Sequence, residues 1–458
     1  MTCKEGSTLE SKAPHNPDLD RDRRHVWHPC TPMKDHETHP PLLIEKGEGV
    51  YLVDGEGRRY LDVIASWWVN LFGHNHPRLN AALQSQLAKV AHVMFAGITH
   101  RPAIDLAERL VQKTPPHLTR VFFSDNGSTA VEIALKMSLQ YWQQTGRPEK
   151  TRFIYLRDGY HGETLGALAV CGTDLFREKF KAVLAPNIQV NGPDCYRCPF
   201  GLTRDTCRAE CFDPMQAALD EHAGSTAGVI VEPLVQGAAG MKMYPAVYLE
   251  KLQAACEAAG VHVIYDEVAV GFGRTGSLFV CEGNRLRPTF LCLSKGITSG
   301  YLPLAATLTE ESIYEAFYDE FSTFKWFVHS HSYAANPLAC AVANATLDLL
   351  AAPEFFPRLH TKIKAMEKAA QGFRDLPWFG EFRQTGLIGA LELVRDPSNR
   401  EPFPIESRVG FRIYLEALKR GLYMRPLGNV VYFIPPYVIS EDEIFFMMES
   451  AKASIQAA

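Results

Sequence analysis

The chain has 458 residues, and its 47 Lys and Arg against 52 Asp and Glu give a formal net charge of −5. This balance gives no reason to expect a nucleic acid or another polyanion as partner. Hydrophobic residues make up 46% and charged residues 22%, which is typical of a globular protein and excludes disorder over most of the chain. No run reaches the roughly 18 uninterrupted apolar residues that a membrane span needs.

Residues 1–24 are polar, contain proline and include no apolar stretch of the kind found in signal peptides. We therefore expect a flexible leader. The eleven cysteines, an odd number, are spread along the chain. Without a secretory signal, they favour reduced thiols and a cytoplasmic location over a disulfide framework.

Short apolar or β-branched runs alternate with helical patterns between residues 119 and 290, which predicts an α/β fold with a parallel sheet. Because the runs are almost continuously apolar, we expect both faces of the sheet to be buried. The runs are 120–124, 152–156, 228–232, 261–265 and 289–293.

The rest of the chain predicts a smaller α+β domain. Residues 346–458 mix helical patterns with short strands, and we expect residues 25–75 to pack beside them. Residues 76–345 would form the large domain. Within it, residues 185–213 are rich in Pro, Gly and Cys and are expected to leave the main sheet.

The stretch SDNGSTAVE at 124–132 follows a predicted strand and opens an amphipathic helix. The free N–H groups and positive dipole end at Gly127 and Ser128 would suit a phosphate group. An ordinary capped helix has the same pattern, so this motif alone does not show whether a phosphate binds here. The sequence GFGRTG at 271–276 fits G-x-G-x-x-G, but its strand ends earlier, near Tyr265, which is wrong for a dinucleotide site.

Asp266 and Lys295 each follow a buried predicted strand. Open α/β sheets bind ligands at the carboxyl ends of their strands, so we expect both side chains at one edge. An acid there can keep a heterocyclic nitrogen protonated, and a lysine can form a Schiff base. With a phosphate-binding turn, these groups meet the needs of pyridoxal 5′-phosphate. Tyr160 would offer its ring an aromatic face, although a core tyrosine explains this residue equally well.

Seven short motifs occur in a characteristic order. They are NGSTAVE at 126–132, GYHG at 159–162, VEP at 231–233, DEV at 266–268, GFGRTG at 271–276, SKG at 294–296 and NPLA at 336–339. Together they resemble the class III aminotransferases, which have the fold type I of pyridoxal-phosphate enzymes, from about His25 to the C-terminus. The resemblance implies this fold, pyridoxal 5′-phosphate as cofactor, small-molecule substrates and a homodimer with active sites at the subunit interface.

The resemblance also implies roles for the candidate residues. Lys295 would form the Schiff base and move protons, Asp266 would pair with the ring nitrogen, and Tyr160 would lie against the ring and take part in catalysis. The phosphate-binding residues would be Gly127, Ser128 and, from the neighbouring subunit, Ser332. The substrate-binding residues would be Cys30, Trp67, Trp68, Arg274, Ser330, Arg425 and Tyr432.

Arg425 would bind the carboxylate of the amino donor, for which a guanidinium fork is well shaped. Relatives that act on ornithine or 4-aminobutyrate tend to carry a Glu after Gln-Gly that pairs with this arginine. Here Gln236 and Gly237 are followed by Ala238, so we expect Arg425 to be free for an α-carboxylate.

Further stretches are similar to the class III members that convert 8-amino-7-oxononanoate to 7,8-diaminononanoate in biotin biosynthesis. They are HVWHP at 25–29, ASWW at 65–68, MFAGITH at 94–100, RPLGN at 425–429 and YFIPPY at 432–437. The members that use S-adenosylmethionine as donor resemble His-Pro-Tyr-Thr where this chain has Cys30 in place of the tyrosine. A thiol is smaller than a phenol and forms weaker hydrogen bonds. We expect S-adenosylmethionine as donor, with lysine as the alternative.

Two other functions stay open. One is a class III aminotransferase that acts on an ω-amino acid or amine with a 2-oxoacid, against which residues 66–68 and Ala238 argue. The other is a non-catalytic binding protein on the same fold. Lys295 argues against it, because a scaffold does not need a Schiff-base lysine.

Four cysteines form two close pairs of the kind found in zinc or iron–sulfur sites. They are Cys195, Cys198, Cys207 and Cys211. The two pairs are nearer to each other in sequence than in most structural zinc sites. Surface or interface thiols are the alternative, and we assign no metal ligand from the sequence.

Overall fold

The computed structural model describes residues 16–283 and 286–458. The strands in this part of the chain are β1 Ile44–Glu48, β2 Tyr51–Asp54, β3 Arg59–Asp62, β4 Leu118–Ser124, β5 Arg152–Leu156, β6 Ile188–Val190, β7 Thr226–Val231, β8 Val235–Gln236, β9 Lys242–Met243, β10 His262–Asp266, β11 Phe290–Leu293, β12 Ala305–Glu310, β13 Phe379–Thr385, β14 Ile388–Leu393, β15 Leu422–Tyr423 and β16 Val430–Phe433.

The α-helices of the described residues alternate with the central strands, and others lie near the first and last described residues. They are α1 Pro17–His25, α2 Pro77–Leu87, α3 Arg101–Lys113, α4 Gly127–Gln144, α5 Leu165–Leu168, α6 Asp174–Arg177, α7 Asp213–His222, α8 Ala246–Ala259, α9 Val280–Gly283, α10 Glu311–Glu315, α11 Pro337–Leu350, α12 Phe355–Ala370, α13 Val409–Lys419 and α14 Glu441–Ala457. Short 3₁₀ helices are Met33–Glu37, Glu178–Val183, Glu210–Phe212, Lys295–Thr298, Phe321–Thr323, Gln371–Asp375 and Ile405–Ser407.

The central sheet has seven strands in the order β4-β12-β11-β10-β7-β5-β6. The pairs from β11 to β6 are parallel, whereas β12 is antiparallel to both β11 and β4. Every residue of β7, β10 and β11 is buried, as expected for strands covered on both faces. The predicted α/β fold with a mainly parallel sheet is confirmed.

The edge strand β6 lies within residues 185–213, which we expected to leave the main sheet. Ile188 and Val190 are buried and Gln189 is partly buried, and the strand pairs in parallel with β5. Three residues between Pro and Gly make too short a run for the apolar pattern to reveal a strand. The excursion from the sheet is therefore smaller than the sequence indicated.

The two ends of the chain meet in a second sheet. Leu422 and Tyr423 of β15 pair in parallel with Leu61 and Asp62 of β3, and β1 and β2 complete this sheet. Strands β13, β14 and β16 form a separate antiparallel sheet. Strand β3, within residues 25–75, thus lies beside the C-terminal strand β15.

Two boundaries in the structure differ from the expected ones. Helix α11 runs through the expected boundary between residues 345 and 346 and contacts α2 and α3, so it belongs with the large domain. Residues 1–15 of the expected leader lie outside the described residues, but the remainder forms α1. Asn16 caps this helix by accepting from the N–H of Asp18 at 2.9 Å. Helix α1 has no buried residue, so it lacks the apolar stripe that predicts a helix.

No single helix of the described residues is long and apolar enough to cross a membrane. Helix α11 and the stretch Phe355–Asp375 meet the length and composition test only as a pair, bent by 76°.

Candidate active site

A cavity of about 580 Å³ lies at the carboxyl edge of the central sheet. Strands β4, β5, β7, β10 and β11 all end at this edge, and each is followed by residues that line the cavity. This is where open α/β sheets place their ligand sites. The cavity-lining residues contributed in this way include Gly127, Ser128, Tyr160, Glu232, Asp266 and Lys295.

Lys295 follows β11 and starts a 3₁₀ helix with a left-handed φ of 45°. Its Nζ lies 4.3 Å from the centre of the Trp68 ring. Removal from water lowers the pKa of Lys295 to about 8, although Asp266 and Glu232 act in the opposite direction. A large fraction of this amine is therefore neutral and nucleophilic near pH 8.

Asp266 ends β10 and is buried, with 5% of its surface exposed. Its Oδ2 accepts a hydrogen bond from His161 Nδ1 at 2.8 Å, and its Oδ1 accepts from the N–H of Val268 at 3.0 Å. The His161 Nε2 atom is buried and has no hydrogen-bond partner among the described residues. His161 belongs to the motif GYHG, but nothing in the sequence pattern points to its pairing with Asp266.

Glu232 follows β7 and is a second buried acid in the cavity. Its carboxylate accepts from the N–H of Tyr160 at 2.8 Å and from the N–H of Gly237 at 2.9 Å. Burial raises the pKa of Glu232 to about 7, opposed by His161. Glu232 was not among the predicted site residues. The available signal was its position in the motif VEP, directly after a strand.

The N-terminus of the 18-residue helix α4 faces the cavity. Asn126 and Thr129 cap it reciprocally, each side chain accepting from the other's backbone N–H at 3.1 Å. The helix cannot satisfy its first N–H groups internally, so those of Gly127 and Ser128 are available to an anion. The Ser128 hydroxyl lies 2.7 Å from that of Thr164.

Gly162 keeps the space in front of this helix open. Its φ is 124°, and a Cβ atom there would lie 2.3 Å from the Ser128 Oγ. A side chain at this position would therefore occupy the anion site. Tyr160, two residues earlier, lines the same wall, and its hydroxyl donates to Glu163 Oε1 at 2.9 Å.

A left-handed turn, residues 65–68, places two tryptophans on the other side of the cavity. All four of its residues have φ between 47° and 74°. The buried Asp62 holds the turn, because it accepts from the Ser66 N–H at 2.9 Å and from its hydroxyl at 2.7 Å. Trp68 is buried beside Lys295, whereas Trp67 is 42% exposed.

Arg425 and Cys30 lie near the mouth of the cavity. The Arg425 guanidinium lies 5.0 Å from the centre of the Trp67 ring and donates to the backbone carbonyl of Cys30 at 2.6 Å. Cys30 and Trp67 line the cavity, and so does Glu163. Among the described residues, no basic group pairs with the Glu163 carboxylate within 4.0 Å. This end of the cavity thus combines a guanidinium, an aromatic face and a carboxylate that accepts a hydrogen bond from the Tyr160 hydroxyl.

The remaining expected site residues lie outside the cavity lining. Arg274 is fully buried, and it donates to the carbonyls of Pro435 at 2.7 Å and Asn70 at 2.9 Å, so here it joins two parts of the fold. Tyr432 is buried behind Trp68, with the ring centres 6.0 Å apart. Of these expected site residues, Ser330 and Ser332 are exposed.

The four clustered cysteines line one small cavity beside Tyr248. Burial raises the pKa of Cys195 to about 12 and that of Cys211 to about 11. Among the described residues, no three of these thiols bring their sulfur atoms within 4.8 Å of one another. The four thiols are therefore neighbours that do not form a closed set of metal ligands.

Comparisons with known proteins place the chain in a family. The family model for class III aminotransferases matches residues 33–455. The chain belongs to the class III aminotransferase family, which confirms the class of enzyme that its motifs resemble.

Individual relatives narrow the comparison. The chain is 46% identical to an adenosylmethionine-8-amino-7-oxononanoate aminotransferase of Geobacter sulfurreducens, over 95% of this chain and 96% of the relative. The crystal structure of the enzyme of the same name from Methanocaldococcus jannaschii superposes with a TM-score of 0.91 at 40% identity, over 96% of this chain and 98% of that one. An omega transaminase from Pseudomonas jessenii in complex with PMP has the same TM-score at 30% identity, over 96% and 97%. The fold alone therefore does not separate these activities.

Proposed function

We propose that this chain is the pyridoxal-phosphate enzyme that transfers an amino group from S-adenosylmethionine to 8-amino-7-oxononanoate, forming 7,8-diaminononanoate for biotin biosynthesis. The observation that carries the proposal is the meeting of Lys295, Asp266 and the N-terminus of α4 in one cavity. The names of the full-length relatives supply the two substrates.

The residues of the cavity fit pyridoxal 5′-phosphate. Gly127 and Ser128 offer N–H groups for its phosphate, and Gly162 leaves the space that a side chain would fill. Asp266 offers a buried carboxylate for its ring nitrogen, and Lys295 offers an amine for its aldehyde. When bound, this cofactor supplies a carbonyl that condenses with amines and a protonated ring that accepts electrons.

The protein's own groups then hold and move protons. Asp266, fixed by His161 and by the Val268 N–H, keeps a proton on the ring nitrogen. Lys295, with a pKa of about 8, would take the proton from the carbon that bears the donor's amino group and pass it to the cofactor's former aldehyde carbon within the same half-reaction. With the acceptor, it would carry out the reverse transfer, from the cofactor to the carbon that receives the amino group. Glu232 has a pKa of about 7, and in its ionised form it favours the protonated state of this lysine.

The mouth of the cavity suits the donor. Arg425 offers two N–H groups to its carboxylate, and the exposed face of Trp67 can stack on its adenine. The carboxylate of Glu163 attracts a cation. S-adenosylmethionine carries a sulfonium group, and 8-amino-7-oxononanoate carries an ammonium group. Cys30 leaves room between these groups, because a thiol is smaller than a phenol.

The proposal includes a homodimer in the cytoplasm. Ser330 and Ser332 are exposed and lie outside the cavity of a single chain, which is compatible with a role in a neighbouring site. The same segment exposes large apolar side chains, with Phe321 at 73%, Phe324 at 69% and Val328 at 68%. Contiguous apolar surface of this kind marks protein interfaces. The cytoplasmic location stays a prediction from the sequence.

The first prediction concerns the amino donor. Purified holoenzyme is mixed with S-adenosylmethionine, lysine or alanine, one at a time and without acceptor, while the visible absorbance of the cofactor is followed. We expect S-adenosylmethionine alone to bleach it, and 8-amino-7-oxononanoate added afterwards to restore it.

Each other outcome of this experiment would indicate a different donor or a different function. Bleaching by lysine alone would keep the acceptor and change the donor. Bleaching by alanine alone would indicate an aminotransferase for ω-amino acids or amines. A purified protein without cofactor absorbance would indicate a binding protein.

A second prediction concerns Glu163. We expect Glu163→Gln to raise the KM for S-adenosylmethionine about threefold, because the attraction between an exposed carboxylate and a cation is about 0.7 kcal/mol. Steady-state kinetics of both half-reactions measure this effect. Glu449→Gln, at an exposed position on α14, is the matched control and should leave KM unchanged. An unchanged KM in Glu163→Gln would contradict the assignment of this carboxylate.

A third prediction concerns Lys295. We expect Lys295→Ala to abolish turnover, because no other described amine lines the cavity. The cofactor should remain bound without a covalent link, since the phosphate and ring contacts are intact. Mass spectrometry after borohydride reduction measures the link, and retained turnover would remove the central claim about this residue.

A further inference from the structure

Three side chains with metal-binding groups meet in the N-terminal segment, outside the cavity. Asp22 lies on α1, His28 follows that helix, and His36 lies on the 3₁₀ helix Met33–Glu37. Each offers one ligand atom, and the three atoms lie within 4.8 Å of one another. We propose that Asp22, His28 and His36 bind a divalent transition-metal ion, with Zn²⁺ as the ion that the ligand set fits best.

The contacts within this cluster support the proposal. His28 Nε2 lies 2.9 Å from Asp22 Oδ2, and the ring centres of His28 and His36 are 5.0 Å apart in an edge-on arrangement. A carboxylate–histidine hydrogen bond accounts for Asp22 and His28. It does not account for the second imidazole, whose Nδ1 is buried without a hydrogen-bond partner among the described residues.

The chemistry of the set favours zinc. Two imidazoles and one carboxylate form a common zinc ligand set, which leaves a fourth position for water. Metal–ligand bonds of about 2.0–2.2 Å place tetrahedral ligand atoms roughly 3.3–3.6 Å apart, so only small side-chain movements are needed here. Burial and the nearby His28 lower the pKa of His36, which favours the neutral imidazole that binds metals.

Because of the position of the cluster, a bound ion would affect the structure of the N-terminal segment next to the active-site cavity. His28 and His36 flank the stretch that contains Pro29 and Cys30, which line the active-site cavity. Asp35, beside His36, forms an ion pair with Arg408 and anchors the second end of this stretch to α13. A bound ion would close the stretch at both ends and stabilise the folded N-terminal segment.

The test is a titration of holoenzyme, first freed of metal with a chelator, with Zn²⁺ in a calorimeter. We expect binding at this site to weaken at least about tenfold in His36→Gln and in Asp22→Asn, because even the loss of an outer partner costs about that much. His39→Gln is the matched control. This neighbouring histidine is exposed and does not belong to the cluster, so its replacement should change nothing.

A second readout separates this site from the thiols. Zn²⁺ should raise the melting temperature of the wild type, His39→Gln and Cys195→Ser, and the rise should be lost in His36→Gln. Equal affinity and an equal rise in His36→Gln would overturn the proposal, as would loss of zinc binding in Cys195→Ser alone. The near-ultraviolet circular dichroism of each variant verifies its fold. Because neither readout uses turnover, the result does not depend on the proposed reaction.

Discussion

The buried carboxylate of Asp266 is the group on which the site depends. An unpaired charge in a protein interior costs several kcal/mol, so it persists only where donors are fixed around it. Here His161 Nδ1 and the Val268 N–H hold its two oxygens. These donors fix the position of the carboxylate at the carboxyl edge of the sheet, where it can face the ring nitrogen of a bound heterocycle.

The neighbouring strands bring the other titratable groups to Asp266. Strand β10 lies between β7 and β11, and Tyr265 pairs with Val231 on one side and Leu291 on the other. Glu232 and Lys295 therefore emerge at the same edge of the sheet. Their low-dielectric surroundings shift both pKa values towards neutrality, to about 7 and about 8. The sheet register thus brings to one edge an amine and an acid whose pKa values both lie near neutrality.

Several residues around the same cavity have a strained, left-handed backbone. Residues 65–68 are left-handed in succession, and Lys295 and Cys30 also have positive φ. Each such residue costs about 1–2 kcal/mol, and the surrounding contacts must offset this cost. The Asp62 carboxylate does so for the turn that carries the two tryptophans. The strained positions fix the directions of side chains that face the cavity.

The sequence predicted features that depend on short stretches. The central strands, the turn at Gly127 and the residues after β10 and β11 each have a local pattern. No local pattern shows which side chains meet at the edge of the sheet. The partnership of His161 with Asp266 therefore appears only in the fold, where two strand ends that are distant in sequence come together. Arg274 is another example, because its carbonyl partners lie in distant segments that no local pattern reveals, while its expected contact with substrate stays a prediction.

Short or exposed elements were also not predicted from the sequence, because they lack a local apolar pattern. Strand β6 is too short to show an apolar alternation, and α1 buries no residue. The cluster of Asp22, His28 and His36 has no characteristic spacing, because a helix, a loop and a 3₁₀ helix each supply one ligand. Only the folded N-terminal segment brings these residues together.

The protonation state of the cofactor's ring nitrogen tests the central claim most directly. Holoenzyme reconstituted with pyridoxal 5′-phosphate that carries ¹⁵N in the ring can be followed by ¹⁵N NMR across the pH range in which the protein is folded. The account predicts a protonated nitrogen throughout this range in the wild type and its loss in Asp266→Ala. An unprotonated nitrogen in the wild type, or an unchanged signal in the variant, would contradict the account.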